Sequence, residues 1–94
     1  MIKVGQIYEI TEQWLSLKGN EMFPKMIPQF KEGALFEVLE VSQGVPSGQA
    51  TCVKCLTDGT VWFADTAPTS AYAWCFFSSI EVKRQYIILK GNVK

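Results

Sequence analysis

Histidine is missing from this 94-residue sequence. That removes the side chain most often used to move protons near neutral pH and to ligate metals. Nucleophilic serine or cysteine chemistry needs a neighbouring base, and no Ser-x-x-Lys pairing supplies a substitute. The acids Glu37, Glu40, Asp58 and Asp65 make no convincing acid–base pair. Glu37 and Glu40 lie at odd spacing on a strand-like run and face apart, and Asp58 is accounted for by a turn. The seven glycines are scattered at turn positions and form no phosphate-cradling loop. The expectation is a chain that works without catalysis and without a cofactor.

Other features are scarce. No apolar stretch approaches the roughly 20 residues needed to span a bilayer, and Met1-Ile2-Lys3-Val4-Gly5-Gln6 lacks the pattern of a secretory signal. Cysteine occurs three times, at Cys52, Cys55 and Cys75, an odd count that fits a reducing cytoplasm. Cys52-Val53-Lys54-Cys55 has a metal-like spacing. On a strand, however, residues i and i+3 point to opposite faces, and no fourth cysteine or histidine completes a site. The reading is two ordinary strand residues, one buried and one exposed, and no metal. Net charge is also absent: nine basic and nine acidic side chains cancel, which removes the strong electrostatic argument for nucleic acid.

What is present is apolar and aromatic. Nearly half the residues are apolar (48%) and 13% are aromatic, enough for one domain over residues 1–94 to build a core without staples. The predicted strands are Val4 to Ile10, Ala34 to Val41, Ala50 to Leu56 and Thr60 to Phe63, with last strand material at Ile80–Val82 and Gln85–Leu89. Residues 11–33 read as a long loop, since Pro24 and Pro28 interrupt a regular helix or central strand. Folded over one end of the barrel, it would cover the core with Trp14, Phe23 and Ile27. Asp58-Gly59 is the clearest local signal, a hairpin turn that accepts positive φ. Asp65 to Ser79 is a second irregular region with one short helical turn, and Gly91 and Asn92 end the last strand.

These elements describe a mostly β fold, a small antiparallel barrel of five or six strands with a long loop after the first. Gly5-Gln6-Ile7-Tyr8-Glu9-Ile10, Gly33-Ala34-Leu35-Phe36-Glu37-Val38 and the Asp58-Gly59 hairpin are spaced as in the SH3-like barrels, which the chain resembles. Other small barrels, including OB-like ones, fit almost as well. The resemblance implies a binding groove framed by residues 11–33 and 64–79.

From Thr66 to Ile80 there is no charge, yet the segment carries Tyr72, Trp74, Phe76 and Phe77. Each can bury on the order of 150–250 Å², more than so small a chain hides together with Trp14 and Trp62. If Val61 and Phe63 point inward, Trp62 points out. The leading expectation is therefore a protein-binding module whose face is built from Trp62, Tyr72, Trp74 and Trp14, acting by occlusion. In style the chain resembles small phage or mobile-element accessory proteins, which implies inhibition of a host or defence protein, or assembly as a homo-oligomer. A second expectation is nucleic-acid binding by Lys54, Lys83 and Arg84 with the same rings as stacking platforms. A third is a small-ligand pocket between the loops or at a dimer interface.

Overall fold

The computed structural model describes residues 2–42, 48–73 and 75–93. Gly5, at φ +91°, turns the chain into β1 (Gln6–Ile10). The other strands are β2 (Leu35–Ser42), β3 (Gln49–Cys55), β4 (Val61–Phe63), β5 (Phe77–Ser78) and β6 (Ile87–Asn92). All pairings are antiparallel, in the order β4-β3-β2-β1-β6. β5 shares the outer side of β3 with β4: β4 pairs with Cys52–Lys54 and β5 with Gln49 and Ala50. The mostly β, six-stranded antiparallel class is as the sequence predicts. The barrel is not, because among the described residues no pairing joins β6 to β4 or β5, and the likeness to SH3-like barrels is not confirmed.

Residues 11–33 are more regular than the prolines suggest. Thr11 caps α1 (Glu12–Ser16): its hydroxyl accepts from the Trp14 backbone N–H at 3.1 Å and donates to the Tyr86 carbonyl. Pro24 falls in the first turn of α2 (Met22–Met26), where a missing N–H costs nothing. Pro28 lies just beyond that helix. Gly33, at φ +85°, then returns the chain so that its N–H donates to Ile10, while Ile10 donates to Ala34, both at 2.9 Å. The segment is thus an elaborated β1–β2 connection.

Its apolar side chains form the second layer of the protein. Trp14, Phe23, Ile27 and Phe30 are all buried, over the sheet's inner residues Tyr8, Ile10, Phe36, Val38, Val53 and Ile87. Phe30 joins the layers, with its ring centroid 4.5 Å from Phe36, 5.2 Å from Phe23 and 5.7 Å from both Trp14 and Phe76. Phe76 and Phe77 close the core from the second irregular region, Phe77 edge-on to Tyr8 at 5.6 Å. The expected short helical turn in that region is a 3₁₀ turn at Pro68–Ala71.

The expected strand material at Ile80–Val82 is instead the helix α3 (Ser79–Lys83). Its cause is legible in Ser78-Ser79-Ile80-Glu81: the Glu81 carboxylate reaches back to accept the Ser78 backbone N–H at 2.8 Å. Gln85, at φ +64°, ends the turn after α3. β6 then continues through Gly91 and Asn92 instead of stopping at them. Burial pushes the Glu81 carboxyl up, against the lowering effect of the Ser78 backbone N–H that it accepts.

Two outcomes are expected of this core. Phe30→Ala should lower the unfolding free energy by roughly 3–5 kcal/mol in urea titration; a loss under about 1 kcal/mol would mean that Phe30 does not join the layers. Because folding raises the Glu81 pKa, stability from this group is complete below its ordinary value of 4.5 and is lost as pH rises through the folded value. The urea midpoint should therefore gain from this group as pH falls from neutral toward 5, and Glu81→Gln should shrink that gain. An unchanged slope would assign the effect elsewhere.

Candidate functional site

The rings inside the two layers are unavailable to a partner, so any contact surface must come from what faces away from them. The β3–β4 hairpin turns several large apolar side chains that way. Cys55 donates to Thr60 and Ala64 donates to Thr51, each at 2.8 Å. With Val53 opposite Trp62, these fix the alternation of the ladder. Trp62 therefore shares the inner face with Val53 and Val38 and packs against the core. Val61 and Phe63 turn outward, 41% and 45% exposed, with Leu56 at 38% on the same face. The expected orientation of β4 is inverted, and Trp62 is half-buried with its indole nitrogen enclosed. The hairpin itself held the clue: register across Asp58-Gly59 sets Val61 beside Lys54, and a lysine faces outward.

The turn is held firmly. Gly59, at φ +77°, donates to the Cys55 carbonyl at 2.8 Å. One Asp58 oxygen accepts from the Thr60 N–H at 2.9 Å and the other from the Gln29 side chain at 3.0 Å. These donors, Gln29 first, lower the Asp58 carboxyl to about 2. Around this bond lies a depression of about 200 Å³ lined by Pro28, Gln29, Lys31, Cys55, Thr57 and Asp58. A second, of about 230 Å³, is lined by Glu40, Thr51, Phe63, Ala64 and Asp65. Both are open and smaller than the roughly 300 Å³ at which small-molecule sites begin. The two irregular regions meet where α2 packs on the 3₁₀ turn, and neither depression lies between them.

Of the described rings among those expected to meet a partner, Tyr72 is the most open, 68% exposed at the end of the 3₁₀ turn. Trp14 is completely buried against Phe23 and Phe30. It cannot be a contact in the folded chain, because covering the sheet takes up its whole surface. Trp74 lies outside the described residues. The basic set is dispersed: Lys83 and Arg84 are exposed at the end of α3. Lys54 sits beside Glu37, four residues along β3 from the junction of that strand with β5. Cys52 and Cys55 are both buried, contrary to the alternating expectation. Cys52 lies in register between Glu40 and Phe63, which enclose it on the outer face. Burial, then Glu40 and Asp65, raises the Cys52 thiol; burial, then Glu81, pushes Cys75 up to about 11. Neither is a ready thiolate. Among the described residues no three His, Cys, Asp or Glu side chains gather to hold a metal, and no helix is long and apolar enough to cross a membrane.

The hairpin anchor can be read directly. In Gln29→Ala, the Asp58 carboxyl followed by carbon NMR should titrate above its native value of about 2, toward 3.8. Stability linked to this lowered group is present above its unfolded value and lost as pH falls through the folded one. An Asp58 titration unmoved by the substitution would show that Gln29 does not hold the turn.

Compared with curated proteins and with solved structures, the chain finds no match in either. A family model does match, over residues 3–92, which is nearly the whole chain. The protein belongs to the PinA peptidase inhibitor family.

Proposed function

We propose that this chain binds a peptidase and blocks it by occlusion, through the outward side of the β3–β4 hairpin and the turn that follows it. Leu56, Val61, Phe63 and Tyr72 are the anchors, with Trp62 as backing and Trp74 as a further contact on the same uncharged segment. Family membership supplies the class of partner. The observation that carries the location is the inverted β4, which sets two large apolar side chains in solvent beside a pinned turn.

The mechanism needs no bond-making. A small apolar cluster surrounded by polar groups is the usual centre of a protein interface, and a few such residues carry most of its energy. The turn is already held by Asp58, so little conformational entropy is lost when a partner covers it. Inhibition is then a matter of steric exclusion, in a reducing cytoplasm that suits the three free thiols.

The test is inhibition of fluorescent-casein hydrolysis across purified serine, cysteine, threonine, aspartic and metallopeptidases. Against the peptidase that responds, Phe63→Asp should weaken inhibition by about 30-fold or more, since a hot-spot residue is worth about 2 kcal/mol. Tyr72→Ala should weaken it by a smaller factor. Inhibition untouched by Phe63→Asp would move the surface away from this hairpin, and a native chain that slows none of the panel would remove the reading.

A further inference from the structure

Val61 and Phe63 lie on a strand whose outer edge, among the described residues, pairs with no other strand. The ladder sends both polar groups of Trp62 to Val53, so the N–H and C=O of Val61 and Phe63 point away from the sheet. The Phe63 carbonyl accepts from Thr66 and Ala67. Among the described residues nothing bonds the Val61 N–H, the Val61 C=O or the Phe63 N–H. Donor, acceptor and donor along one edge form the pattern that an added antiparallel strand fills with three hydrogen bonds.

Sheet edges are normally guarded by charge. β6, at the other end of the sheet, carries Lys90, placed 3.7 Å from Glu9. β4 is Val-Trp-Phe, with no charge at all.

The flank of β4 is acidic. Glu40 and Asp65 line the depression beside Phe63, and both act on the Cys52 thiol between them. Neither has a salt-bridge partner among the described residues. Lys54 is the nearby cation on the outer face, and Glu37 stands opposite it in register.

Building on the peptidase-blocking reading above, we infer that the free edge of β4 takes up an extended segment of the peptidase, antiparallel, with a lysine or arginine of that segment lying over Phe63 toward Glu40 and Asp65. A cation above a ring and beside two carboxylates gains from both. A second copy of this chain is the poorer occupant, because pairing two β4 edges would bring two acidic flanks together. A peptidase must hold its substrates extended, so it carries backbone suited to this edge.

The experiment uses the peptidase that responds in the casein assay. Amide exchange by NMR should slow at Val61 and Phe63 by at least tenfold in the complex, while the Trp62 amide, already bonded to Val53, serves as internal reference. Val61→Pro deletes the outward N–H together with the valine side chain and should weaken inhibition by tenfold or more; Val61→Thr, which alters the side chain but keeps the N–H, should stay within threefold, so the difference between the two reads the edge bond. Raising NaCl from 50 to 300 mM should weaken inhibition several-fold, and the double variant Glu40→Gln, Asp65→Asn should lose that dependence.

An inhibited complex in which Val61 and Phe63 exchange as in the free chain would overturn the pairing while leaving the blocking role intact. Salt-independent inhibition would overturn the basic partner segment. Protection of both amides in the free chain that grows with its concentration would assign the edge to a second copy and overturn the inference. Should Val61→Pro fail to fold, the exchange data on the native chain decide alone.

Discussion

Phe30 stacks between a sheet and the segment that covers it, and most of the architecture follows from that contact. An antiparallel sheet with one apolar face needs a second layer. Here the layer is neither another sheet nor a long helix. It is two five-residue helices inside the β1–β2 connection, too short to be stable alone. They are held because Trp14, Phe23 and Phe30 stack on one another and Phe30 reaches Phe36 on β2 and Phe76 beyond β4. The contacts link segments far apart in sequence, so the helices depend on the sheet for their stability. The sheet can also stay open, since its inner face is closed by this layer and not by curling onto itself.

The same contact decides where a partner can touch. Once Trp14, Phe23, Phe30, Phe36, Phe76 and Phe77 are committed to the interior, few large side chains remain. The surplus of rings inferred from composition is real but smaller than it looks, because the connection is itself a consumer of rings. What is left outside follows strand parity. With Trp62 drawn in against Val53, Val61 and Phe63 have no choice but solvent. Their placement is a by-product of packing the tryptophan, and it puts apolar surface on a strand that carries no charge and, among the described residues, pairs with no strand but β3.

Much of the fold was readable in the residues. Strands β1 to β4 and β6, the Asp58-Gly59 turn and the folding of Trp14, Phe23 and Ile27 over the core follow from alternation, turn chemistry and apolar content, whereas β5 falls in a region that reads as irregular. The failures have specific causes. Pro24 reads as a helix breaker, yet proline in a first turn is harmless, and only the helix's starting point separates the cases. Ser78-Ser79-Ile80-Glu81 carried a helix-start signal that the β-branched Ile80 and Val82 outweighed. Open or closed sheet is not encoded in strand spacing, so the SH3-like likeness could not be settled from it. The candidate site was legible in its neighbourhood but not in its residues: Tyr72 stands out in solvent, whereas the surplus of rings says nothing of which are core, so Trp14 falls inside, and the outward reading of Trp62 assumes a strand parity that the pairing with Val53 reverses.

Core and surface are tied at one point in the chain. Gln29, whose side chain holds Asp58 at the tip of the hairpin, is the residue before Phe30. The backbone that positions the central ring therefore also positions the amide that holds the turn, and this bond adds to the β3 ladder and the Trp62 packing that fix β4. For an inhibitor that works by binding, such rigidity bears on affinity. Ordering a mobile loop on binding subtracts from affinity, whereas a surface fixed beforehand spends nothing on it. It also explains how a domain with an open sheet can present a defined edge: the aromatic layer behind β3 and the Asp58 clasp at its end hold the hairpin from two sides, and its third side faces outward.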